Sequence, residues 1–124
     1  MTHEEALSFA NGWAAAWNRV DIDGVADHFA PDAELTSPLA ARLAGTPTIR
    51  GRERIRQYWR QAYGDVTAPR LTLEAAAWVA ELSRLIVWWR AELPGGTTRA
   101  CEHMDFDDAG RVVRAETYYG APRD

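Results

Sequence analysis

Residues 100 to 106 read ACEHMDF and set three ionisable side chains close together: Glu102, His103 and Asp105. In an extended chain neighbouring side chains point to opposite faces, so Glu102 looks one way while His103 and Asp105 look the other. The two faces offer different chemistry. A lone carboxyl shut among apolar groups resists ionisation and can donate or shuttle a proton. A histidine beside an aspartate is ordinary acid/base machinery. A slip of one residue exchanges the two sets. Six tryptophans surround this choice in a chain of 124 residues. Such flat rings either fill a core or line a pocket for a planar apolar ligand.

The remaining candidates for chemistry have plainer readings. Ser37 lacks a GxSxG turn and has no histidine or aspartate near it in sequence. His3 falls in a first helical turn, His28 reads as a packed or half-exposed histidine and Cys101 as a small buried apolar residue. Three histidines and one cysteine, widely spaced, make no metal motif, so no metal or cofactor is expected. The run RGRERIR alternates in sign and suits a solvated helix face, not phosphate.

The elements that must position these groups follow from caps and periodicity. Thr2 and Glu5 form a capping box, and Leu7, Ala10, Trp13, Ala14 and Trp17 recur at helical spacing, predicting a helix over 3–18. Residues 21–29 hold a second, short helix capped by Asp21 or Asp23, and Pro31 turns the chain out of it. Residues 33–37 read as a short strand, and PLAARLAGTPT as a loop. A third helix covers 52–63, with Ile55, Tyr58, Trp59 and Ala62 on its apolar face and Gly64 as its stop. Strands follow over 70–80, 82–93, 97–107 and 111–119, with turns at Pro94-Gly95-Gly96 and at DDAG. Helices first and antiparallel hairpins after is the α+β layout, expected here as one domain over 1–124.

Composition closes off several classes. The chain is 47% hydrophobic and 26% charged, has no apolar run of membrane-spanning length, and nothing at its start resembles a signal peptide. With one cysteine it forms no internal disulfide, and a cytoplasmic location is the default expectation. A net charge of −4 argues against nucleic acid, and all 14 basic residues are arginine, as a GC-rich genome would give.

Three phrases, WAAAWNRVDIDGVADHFAPDAEL, TIRGRERIRQYW and HMDFDDAGRVVRAETYYG, together with the element order, resemble the NTF2-like superfamily. This superfamily has the cone-shaped α+β fold of ketosteroid isomerases, SnoaL-like cyclases and limonene epoxide hydrolases. The resemblance implies three N-terminal helices packed on a curved, mostly antiparallel sheet. A conical pocket lies between them, and the outer sheet face packs on a second subunit. The last two strands resemble those of ketosteroid isomerase and set a register in which Glu102 stands where that enzyme keeps a protonated, oxyanion-binding acid. Alternation then turns Val87, Trp89, Ala91, Met104, Phe106, Ala115, Thr117 and Tyr119 inward, and helix one, helix three and the first strand add Trp13, Trp59 and Ser37. The outer face carries Trp88, Arg90, Arg99, His103, Asp105, Arg114, Glu116 and Tyr118, a mixture suited to a dimer interface. The other register would put Cys101, His103 and Asp105 inside.

Departures from the family's enzymes limit what is implied. Ser37 stands where the isomerase has its general base, and Trp13 and Trp59 where it has tyrosines. Serine is a poor base for a carbon-bound proton, and an indole donates but cannot accept. Ala100 stands where an epoxide hydrolase would need arginine. Three readings result. The first is an isomerase- or cyclase-like enzyme acting on a small apolar carbonyl-bearing ring compound, with Glu102 as acid/base and Trp13, Ser37, Trp59, Val87, Trp89, Met104, Thr117 and Tyr119 around the substrate. The second is a non-catalytic binder of such a molecule. The third is a dimeric structural protein whose tryptophans fill its own pocket.

Overall fold

The computed structural model describes residues 1–67, 69–93 and 95–121, so Pro94 of the expected turn lies outside the described residues. Helix α1 spans His3–Asn18 and begins at the capping box: Glu5 N–H donates to Thr2 Oγ1 at 3.1 Å, and Thr2 N–H to Glu5 Oε1 at 2.9 Å. The buried stripe Ala6, Ala10, Trp13, Ala14 holds α1 against the sheet. The helix ends without a glycine. Val20 N–H donates back to Trp17 O and Asp21 N–H to Ala16 O, each at 2.9 Å, with Val20 in the left-handed region at φ 53°. A β-branched residue is strained there. Helix α2, Ile22–Ala26, is capped by Asp21, whose carboxylate accepts from Gly24 N–H at 3.0 Å.

Strand β1, Phe29–Thr36, starts earlier than expected and includes Pro31. Pro31 fits because the pairing of β1 slips between Phe29 and Glu34, where a missing N–H breaks no ladder bond. The segment expected as a loop is instead helix α3, Pro38–Ala44, followed by the short strand β2, Thr48–Arg50. Its signals are local: Ser37 Oγ accepts from Leu39 N–H at 3.1 Å, Pro38 occupies the first turn, and Gly45 closes it at φ 76°. Among the described residues the helices before the main strands therefore number four. Helix α4, Arg52–Tyr63, matches its expected limits, and Gly64 ends it in a right-handed conformation where a side chain would run into the Arg60 carbonyl.

Strands β3 (Arg70–Val79), β4 (Arg84–Leu93), β5 (Gly96–Phe106) and β6 (Val112–Tyr119) complete one six-stranded sheet in the order β2-β1-β6-β5-β4-β3. Among the described residues only β1 and β6 pair in parallel. The register sets Glu102 opposite Val87 on one side and Thr117 on the other, and Ala100 opposite Trp89 and Tyr119. The inner face packs on α1 through β3 and on α4 through β1.

Candidate functional site

The inner face of the sheet has a closed end and an open end. At the closed end Leu85, Met104, Phe106 and Ala115 are buried in the core with Phe29, Val25 and Ile55. At the open end α1, α3 and α4 stand away from β4, β5 and β6 and leave a cavity of about 440 Å³. Trp13, Ser37, Trp59, Trp89, Glu102, Thr117 and Tyr119 all line it. Val87, directly opposite Glu102 on β4, and Met104 share the face of Glu102 but are fully buried under core side chains and do not line the cavity, so the expectation that they border the pocket is corrected. Period two gave their side of the sheet correctly. How far the helices cover each strand is outside what alternation encodes.

Glu102 lies in the cavity wall with 8% of its surface exposed. Thr117, directly opposite on β6, donates its hydroxyl to Glu102 Oε1 at 3.1 Å. Burial pushes the Glu102 carboxyl up to about 7, against smaller opposing pulls from Thr117 and Trp89. The acid is therefore about half protonated near neutral pH, and when neutral its second oxygen can donate into the cavity. The Trp89 indole nitrogen is close enough to favour the charged carboxylate, yet its geometry makes no proper hydrogen bond, and it is buried without a partner. An orphaned buried donor costs free energy until something accepts from it. The small Ala100 makes room for Trp89 and Tyr119, whose rings meet edge to face at 6.4 Å.

Residues that the sequence did not single out add hydroxyls and one cation. Tyr58 and Tyr63 of α4 reach the cavity beside Trp59, and Arg42 and Leu39 reach it from α3. Burial pushes the Tyr58 phenol up to about 12 and raises those of Tyr63 and Tyr119 as well, so all three are neutral donors at physiological pH. Ser37 is near Tyr58 and Tyr119, and its oxygen already accepts from the α3 backbone, which leaves its proton for another partner. The sequence places Tyr58 on the apolar face of its helix; a phenol that needs a partner when buried is the signal that marks it. Trp17 packs edge to face on Trp59 at 5.3 Å and on Tyr63 at 5.4 Å, forming an aromatic wall.

The outer face has its own ionisable cluster. Asp105 is only 4% exposed although it points away from the helices. Arg84 clasps it with two hydrogen bonds of 2.6 and 3.0 Å, and Arg114 approaches to 3.5 Å. Burial pushes the Asp105 carboxyl up, but the arginines outweigh this and hold it below the usual range. His103 stands 3.7 Å from Asp105 and 3.4 Å from the Tyr118 hydroxyl, and burial followed by Arg84 lowers its pKa. The His–Asp pair thus lies across the sheet from the cavity. Among the described residues no cluster of three or more histidine, cysteine or acidic side chains could hold a metal, and no helix is long and apolar enough to cross a membrane.

A family model for the SnoaL-like domain matches residues 10–115. The chain belongs to the SnoaL-like family. This places it in the NTF2-like superfamily, as the element order and the α+β architecture indicate. A SnoaL-like protein of unknown function from Burkholderia thailandensis shares 29% identity with a TM-score of 0.85, over 97% of this chain and 98% of that one. An NTF2-like protein of unknown function from Burkholderia xenovorans has a TM-score of 0.79 at 19% identity, over 98% and 87% of the two chains. A protein from Methylobium petroleophilum described as having a cystatin-like fold has a TM-score of 0.78 at 21% identity, over 100% and 81%. The last two likenesses bear on fold alone. Among curated proteins none matches this SnoaL-like chain.

Proposed function

We propose that this SnoaL-like protein holds a small, mostly apolar ring compound carrying a carbonyl, with Glu102 as hydrogen-bond donor and proton shuttle in isomerase- or cyclase-like chemistry. The observation that carries the reading is the Glu102 carboxyl, tuned to about 7 in the wall of an aromatic cavity with an orphaned indole N–H beside it. A carbonyl oxygen accepting from both would satisfy the Trp89 donor and be polarised at once. The 440 Å³ of open space suits a ligand of that kind and speaks against a pocket filled by its own tryptophans.

A second reading is a carrier that binds the same compound without turning it over. It is favoured by the cavity's lack, among the described residues, of a second group that titrates near neutrality: Ser37 and the three phenols are poor bases. Exchange of the α-protons of 2-tetralone in deuterated water, followed by proton NMR, separates the two. Catalysed exchange that Glu102→Gln abolishes supports the enzyme. Saturable binding of 2-tetralone without exchange supports the carrier, and no binding removes both.

A homodimer through the outer sheet face belongs to the same proposal. Trp88 and Tyr118 expose 39% and 49% of their surfaces there, among charges that would form a polar rim. Trp88→Glu is expected to shift a sedimenting dimer to monomer, and a wild-type monomer would refute the assignment.

A further inference from the structure

The cavity of this chain offers two kinds of polar group. One is the Glu102, Thr117 and Trp89 group on the sheet, which Tyr119 joins through the Trp89 ring. The other is on the short helix α3, where the exposed Arg42 lines the cavity near the Tyr58 and Tyr119 hydroxyls, with Ser37 beside them. Most arginines of the chain pair with a carboxylate, but among the described residues none pairs with Arg42. Its charge is near enough to both phenols to favour their ionised forms, although burial keeps them neutral. With the phenols protonated and Glu102 mostly neutral at pH 6, Arg42 is the one formal charge on the described wall. A guanidinium flanked by hydroxyl donors matches a carboxylate, because each carboxylate oxygen accepts several hydrogen bonds and Arg presents a planar fork to them.

We infer that the ligand carries a carboxylate, bound by Arg42 with the Ser37 and Tyr58 hydroxyls, in addition to the ring acceptor held by Glu102 and Trp89. The substrate class narrows accordingly from neutral ring ketones to apolar keto acids. The inference rests on the ligand-pocket reading above. It adds a positioning role for α3: a second polar anchor besides the carbonyl fixes the ligand's orientation in the cavity.

The test is calorimetric titration of the full chain at pH 6 with 9-oxofluorene-2-carboxylate and with 9-oxofluorene-2-carboxamide, which have the same rings and ketone but differ in charge. The acid is expected to bind about tenfold more tightly than the amide, the effect of one charge-assisted contact at a partly exposed site. Arg42→Gln should bring the ratio of the two affinities close to one, and Arg42→Lys should restore part of it. Equal affinities in the wild type overturn the inference while leaving the pocket reading intact. So does a preference for the acid that survives Arg42→Gln. If neither compound binds, the pocket reading fails and this inference falls with it.

Discussion

Glu102 and Asp105 sit three residues apart on one strand, both buried, on opposite faces of a single sheet. Their charges are set in opposite directions. Glu102 faces indoles and phenols and has only hydroxyl and indole neighbours to offset its desolvation, so its proton stays on up to about 7. Asp105 is equally hidden, but two guanidinium groups lie against it and it remains ionised. Burial alone therefore does not say what a carboxyl will do; the partners admitted to the same volume do. The inner acid is left poised and reactive, whereas the outer one is locked into a network that fastens β4, β5 and β6 together.

The contrast can be broken in order of expected effect. Between pH 4.5 and 7 the folded chain keeps a proton on Glu102 that the unfolded chain releases, so stability should fall as pH rises through this window, by about 3 kcal/mol in all. Glu102→Gln should remove that part of the slope, and urea unfolding of both proteins at pH 5 and pH 8 isolates it from the histidines. Parallel profiles would contradict the raised acid. Asp105 has the opposite sign: its contribution is present above its ordinary 3.8 and is lost as pH falls through its lowered folded value. Asp105→Asn strands Arg84 and Arg114 and should cost about 2 kcal/mol at pH 7, below the range for fully buried pairs because both arginines are partly exposed. An unfolding midpoint unchanged from wild type would mean the network is merely decorative. Thr117→Val, nearly isosteric, should change stability by less than about 1 kcal/mol while raising the Glu102 titration further, read by carbon-13 NMR of the carboxyl. A titration moved downward would show that Thr117 is not stabilising the charged form.

Much of this arrangement was legible in the chain. The capping box, the helical stripe of α1 and the strand pattern after Pro69 fixed most elements, because local caps and side-chain period depend on neighbours a few residues away. The resemblance to ketosteroid isomerase supplied the phase of β5, and with it the inward turn of Glu102. Helix α3 was not legible in the same way: the six residues LAARLA between Pro38 and Gly45 are too short a run for a helical period to stand out, although Ser37, Pro38 and Gly45 marked its ends. Missing it also meant missing Arg42, since a loop residue gives no direction in which to point. Asp105 was placed on the right face, yet its burial depends on Arg84 folding over from β4, a cross-strand fact that period two does not contain.

Val20 carries one more consequence. Its strained backbone stops α1, and its side chain forms part of the cavity wall. Glycine at this position would adopt the same conformation freely, gaining on the main chain something of what it forfeits in lost packing. A roomier chamber at little net expense in stability is thus one substitution away, which makes this junction a natural place to retune the size of guest the protein accepts.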